Sequence, residues 1–207
     1  MGTIINEVSL VIGNQTSEAL ERNQKEEEYL NYIKDHIAKV KKCYEMYFLP
    51  LKEVTNISSL VSDEELKDAI DELGEIIDTH DASKFTDAEF GPYRAKYYPT
   101  LAEQEADIDY QELMEDQYEE AWKHHYETND HHPMYWLNSE TNTPDDMSLR
   151  AIIEMICDWE AMSLKFGTST VEWYKNDAKE EKAVLSSNTK DIVEDLLFNV
   201  LHGNSAE

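Results

Sequence analysis

The twenty residues from Met147 to Phe166, MSLRAIIEMICDWEAMSLKF, constrain this chain more than any other stretch. They are apolar almost all round at helical spacing, and a helix with no polar face has to be enclosed by other elements. The segment therefore predicts a central buried helix. Within it stands Asp158, beside Met155 and Met162. A lone buried carboxylate costs several kcal/mol unless something positive meets it. Neither Arg150 nor Lys165 falls on its face, whereas a metal ion would satisfy it.

The rest of the chain supplies helices to surround that core. Tyr29, Ile33, Ile37, Val40, Tyr44 and Tyr47 step by four and three, predicting a helix over about 18–48 that Pro50 stops. Ser62 followed by Glu65 is a capping box. It opens a helix to about Thr79 with the stripe Leu66, Ile70, Leu73, Ile77. Residues 86–110, acidic and broken by Pro92 and Pro99, read as an insertion of loop and short helical pieces. A helix over 111–127 carries Met114, Tyr118, Ala121 and Trp122 on one side, and two more are expected at 170–182 and 188–202. Residues 139–147 read as a loop, and residues 1–17 as a separate N-terminal segment, short and extended. With 6 Gly and 5 Pro in 207 residues and no alternating strands, the fold class is all-α: one helical domain over 18–207.

Asp and Glu number 45 against 18 Lys and Arg, a formal charge of -27. Such a surface repels phosphates, so direct nucleic-acid binding is not expected, and large polyanionic substrates are disfavoured. Cys43 and Cys157 lie in apolar helical patterns and are expected as reduced core thiols. No window approaches the roughly 18 apolar residues of a membrane span, and MGTIINEVSLVIGN lacks a signal peptide's basic start. A cytoplasmic protein without a membrane partner is expected, with homo-oligomers left open.

Six of the seven histidines fall in three places: His36; His80, directly followed by Asp81; and the group His124, His125, His131 and His132. His202 stands outside every cluster. His80 continues the stripe of Leu66 to Ile77, and Asp81, rotated about 100° on a helix, can approach the same point. His36 borders the face of Ile33, Ile37 and Val40. His125 shares a face with Met114, Tyr118, Ala121 and Trp122, whereas His124 shares one with Leu113 and Gln117, so His125 is the inward candidate. Of the second pair His131 is preferred, because Pro133 pushes His132 towards an extended conformation. Imidazoles and carboxylates without cysteine suit Zn, Fe, Mn or Ni at about 2.0–2.2 Å.

In this order, His36, His80-Asp81, His125, His131 or His132, Asp158, the chain resembles the HD-domain superfamily of metal-dependent phosphohydrolases. The pieces HDASKF, AWKHHYETNDHHPMYW and EMICDWEAMSLKF look like an uncharacterised HD-like family of bacteria and phages, over about residues 29–174. The resemblance implies a helical bundle with one or two divalent transition metals bridged by Asp81. His36, His80, Asp81 and Asp158 would hold the first ion and the further histidines the second. The chain departs from the common pattern in its long spacing between His36 and His80, and in Ser83 where the frequent HD-x-G-K form has Gly.

The expected activity is hydrolysis of a small, nucleotide-like phosphoester. Lys84 would meet a phosphate oxygen, its plain alternative being an exposed lysine paired with Asp81 or Asp87. His132 would protonate the leaving group, while His124 and Asn129 would contact substrate; Trp136 is read as core rather than mouth. Two alternatives come from other classes: a di-iron oxygenase of the same superfamily, and a non-enzymatic acidic inhibitor, of the kind found in phages, with a structural metal.

Overall fold

The computed structural model describes residues 2–201, with side chains from residue 17 on. The fold is all-α, the strand content of the described residues being two antiparallel pairs, Leu137 with Pro144 and Asn138 with Thr143. That small hairpin lies in the region read as loop; two residues per strand are too few to leave an alternating pattern. Two compact units are distinguished: Met1–Lys34 with Ala82–His125, and Asp35–Asp81 with Tyr126–Glu207.

Helix α1 spans Gly2–Cys43, so the N-terminal segment expected to be extended is helical from Gly2. A π-helical turn, Tyr44–Phe48, and a 3-10 turn, Leu49–Glu53, follow, with Pro50 near the start of the latter. Pro50 lacks the N–H that a continuing helix needs.

In the first unit, Tyr29 packs against Phe90 and Tyr98. Phe90 opens α3 (Phe90–Tyr97), and a second capping box, Thr100 with Glu103, opens α4 (Leu101–Gln104). Helix α5 (Ile108–Thr128) buries Ala121 and His125 in that unit. Leu113, Gln117 and His124 on its other side are exposed, as expected, but so is Trp122.

The second unit holds the larger core. Helix α2 (Asp63–Ile76) starts at the expected capping box: Ser62 accepts from Glu65 N, and the Glu65 carboxylate accepts from Ser62 N. Its stripe Leu66, Ile70, Leu73 and Ile77 is buried. The stripe packs with Val40, Phe48 and helix α6 (Leu149–Phe166), whose residues Ala151 to Cys157 are all buried. Ser148 caps α6 at its start, and Gly167 ends it at φ +66, a conformation Gly adopts without strain. Gly74 has a packing role instead, since an added Cβ would stand 2.6 Å from Tyr44 Oη, which donates to Ile70 O.

The expected helix at 170–182 is two, α7 (Thr170–Asn176) and α8 (Lys179–Ala183), and α9 (Ser187–Leu196) begins at Ser186 as cap. Cys43 and Cys157 are buried free thiols, and burial pushes the Cys43 thiol up to about 12. No helix among the described residues is long and apolar enough to cross a membrane.

Candidate metal centre

The end of α2 does not continue to His80 as a helix. It tightens into a 3-10 turn, Ile77–Thr79, where Thr79 Oγ1 donates to Ile76 O at 2.7 Å. His80 leaves that turn at φ -49, ψ 132, and Asp81 takes a left-handed φ of +56. A non-glycine residue there costs about 1–2 kcal/mol, which Asp tolerates better than most. The convergence of His80 and Asp81, expected from helical rotation, thus comes from a strained turn. Both side chains are buried.

Four further side chains meet them inside the second unit. His36 comes from α1, one turn after the buried Ile33. His131 comes from the turn after α5, where His132 N donates to Asn129 O and the Trp136 indole donates to Asp130 O. Trp136 packs against the core, as read. Asp158 and Glu154 project from α6 one turn apart. The His36 Nε2 to Asp158 Oδ1 distance is 3.0 Å. Asp81 Oδ2 lies 3.6 Å from both His36 Nε2 and His80 Nε2, and Asp81 Oδ1 lies 3.5 Å from His131 Nε2.

Those spacings test the fit of a metal. Atoms held about 2.0–2.2 Å from one cation sit about 2.8–3.6 Å apart along the edges of an octahedron or tetrahedron. The pairs at 3.5–3.6 Å exceed the usual hydrogen-bond length, and the buried Nε2 of His80 has no hydrogen-bond partner. A buried nitrogen in that state costs about 1–3 kcal/mol, which a cation would remove. Among the described residues, His36–His80–Asp81 and His80–His131–Asp158 each bring their ligand atoms within 4.8 Å of one another, so these buried His/Asp groups could hold a metal ion.

The electrostatics agree. Burial opposes a charge on His80, yet Asp81, the bond to Glu154 and Asp158 raise it to about 9. Burial likewise pushes Asp158 up, but the His36 hydrogen bond and the charges of His36 and His80 hold it well below the carboxylate range. The pocket thus favours added positive charge, for which protons and a metal dication compete.

A cavity of about 280 Å³ adjoins this group in the second unit, lined in part by Asp81, Asn129, Asp130, His131, Arg150 and Glu154. The expected substrate contact Asn129 is therefore beside two expected ligands. His132 is half-buried with extended backbone, φ -86 and ψ 131, as Pro133 requires, and its ring centroid is 4.3 Å from that of His131.

The other expected site residues belong to the first unit. His125 is buried, donating from Nδ1 to Glu89 Oε2 at 2.8 Å, while half-exposed His124 donates from Nδ1 to Glu89 Oε1 at 2.7 Å. Ser83 Oγ also donates to Glu89, which is fully buried. Burial pushes Glu89 up, but the bonds from His125 and His124 prevail and hold it low. Lys84 Nζ lies 5.6 Å from the Tyr93 ring centroid. His202 lies outside the described residues.

Sequence reading missed both glutamates. Glu154 accepts from His80 Nδ1 at 2.9 Å and from Arg150 Nη1 at 2.6 Å, and Arg150 Nη2 donates to Asp130. A signal existed: Arg150, Glu154 and Asp158 recur every four residues within the most apolar helix. Glu89 carried none, standing among many exposed acids.

Fold and site together define an all-helical protein with a buried histidine–carboxylate group able to hold a metal ion. The model of a family described as "Family of unknown function (DUF5662)" matches residues 25–199, and the chain belongs to that family. No curated protein and no solved structure matches it.

Proposed function

We propose that the second unit is a metal-dependent phosphohydrolase centre of the HD type, acting on a small, nucleotide-like phosphoester. The observation that carries this reading is the meeting of His36, His80, Asp81, His131 and Asp158 at coordination-edge distances. These residues would hold one or two divalent transition ions, Mn, Fe, Zn or Ni. When bound, such an ion supplies Lewis acidity and neutralises charge on the phosphoester. Asp81 turns one oxygen to His36 and His80 and the other to His131, an arrangement suited to bridging two ions.

The chain's own groups divide the remaining work. Asn129 at the cavity wall would orient the substrate by hydrogen bonding. His132, beside His131 but with less burial, would deliver a proton to the leaving oxygen. The net charge of -27 supports a small substrate over a large polyanion.

The test is a phosphatase screen. Chelated protein is reconstituted separately with Mn²⁺, Zn²⁺, Fe²⁺ and Ni²⁺ and offered nucleoside monophosphates and p-nitrophenyl phosphate. Phosphate release should need metal, and His132→Gln should slow it about 10²–10⁴-fold with metal content unchanged. No release with any ion contradicts the hydrolase. Oxygen uptake restricted to the iron-loaded protein would move the reading to the oxygenase.

A further inference from the structure

Glu154 is 5% exposed and sits between the metal centre and Arg150. Its two oxygens have separate duties. Oε1 accepts from His80 Nδ1 at 2.9 Å and lies 3.5 Å from His131 Nδ1. Oε2 accepts from Arg150 Nη1 at 2.6 Å, and the same guanidinium donates from Nη2 to Asp130. Asp130 follows α5, and its backbone oxygen takes the Trp136 indole N–H. A chain of charge-assisted bonds thus runs from Asp130 through Arg150 and Glu154 to His80, all inside the second unit.

The consequence concerns tautomers. An imidazole whose Nδ1 faces an ionised carboxylate keeps its proton there, which leaves a lone pair on Nε2. For His80 that Nε2 is the buried atom without a hydrogen-bond partner, 3.6 Å from Asp81 Oδ2. We propose that Glu154 is the positioning residue of this centre, one carboxylate oxygen setting the ring orientation and tautomer of His80 while Arg150 holds the other oxygen still. This inference rests on the metal reading of the site and adds to it a residue that binds no metal. Carboxylates in this outer role raise the basicity of a ligating imidazole, and their loss typically costs about 10–100-fold in metal affinity.

Zn²⁺ binding to the full chain, measured by competition with a chromophoric chelator, separates the roles. In Glu154→Gln the amide can turn its NH₂ towards Nδ1 and so permit the wrong tautomer. Zn²⁺ affinity should fall about 10–100-fold with the number of ions per chain unchanged. A lower ion count would make Glu154 a ligand and overturn the proposal. Unchanged affinity beside a less stable metal-free fold would make it only an ion-pair partner of Arg150, which overturns the proposal equally.

A second measurement needs no variant. Long-range ¹H–¹⁵N spectra of Zn²⁺-loaded wild type should show His80 as the Nδ1–H tautomer, and an Nε2–H tautomer there overturns the assignment. Wild type that takes up none of Zn²⁺, Mn²⁺, Fe²⁺ and Ni²⁺ would remove the metal reading itself, an outcome distinct from tight binding that ignores Glu154.

Discussion

Asp158→Asn is expected to strip the centre of metal, lowering affinity by more than the roughly 100-fold upper range of an outer-partner loss. Asn keeps the volume of Asp but not its charge, and one of two carboxylates facing His36 disappears. At the position 3.0 Å from His36 Nε2, a neutral amide would replace the carboxylate. A hydrogen bond to an ionised group is roughly twice as strong as one between neutral groups, so the metal-free fold should also weaken. The site is largely closed to water, Asp158 being 17% exposed, which leaves little solvent to compensate. His202→Ala serves as control and should change neither property. Titrating both variants with Zn²⁺, and melting both in chelator, checks the pair. Equal metal binding in the two would remove Asp158 from the ligand set.

Arg94→Met should cost about 3–5 kcal/mol without touching the metal centre. Arg94 and Glu103 are 3% and 4% exposed and form a two-pronged ion pair inside the first unit, with Arg94 Nη2 donating to Glu103 Oε1 at 2.7 Å. Glu103 also accepts from Thr100 N at 2.8 Å, so it closes the α4 capping box. Removing the guanidinium strands a buried carboxylate, the expensive half of any buried pair. Arg22 approaches the same carboxylate at 3.5 Å but is 51% exposed, and its loss should cost no more than about 1 kcal/mol. The double change Arg94→Met with Glu103→Leu should recover most of the loss.

The pH dependence has a definite sign. Burial pushes Glu103 up, but the Arg94 bond and the Thr100 backbone bond prevail and bring it from 4.5 to about 2. A depressed carboxyl stabilises the fold fully above its unfolded value. That contribution disappears as pH falls from about 4.5 through about 2. The gap between wild type and Arg94→Met in urea unfolding should therefore be wide at about pH 7 and narrower at about pH 3. A loss under about 1 kcal/mol at neutral pH would contradict the role given to Arg94.

What the sequence made legible follows from what leaves a periodic trace. The stripe of α2 and its Ser62–Glu65 box, the enclosed middle of α6, and the choice of His125 over His124 as the buried neighbour were all readable, because helical spacing carries them. The candidates His36 and Asp158 were readable as polar residues inside apolar helical patterns, and His80, Asp81 and His131 as clustered imidazole and carboxylate groups near helix ends. Backbone departures were not readable. The turn that sends Asp81 to positive φ has no glycine to announce it, and the break between α7 and α8 falls at Asp177–Ala178 without a proline. Partnerships were harder still. In a chain with 45 acidic residues, the buried Glu89 and Glu154 look like the solvated majority until their histidines are located.

Elemental analysis of the protein purified without added metal tests the central claim most directly, followed by thermal melting with Mn²⁺, Zn²⁺, Fe²⁺ or Ni²⁺. One or two transition-metal ions per chain are expected. After chelation, the melting temperature should rise when a fitting ion is restored, by the linkage of binding to folding. Protein that carries no metal, and melts at the same temperature with and without each of the four ions, would contradict the assignment of His36, His80, Asp81, His131 and Asp158 as a metal centre.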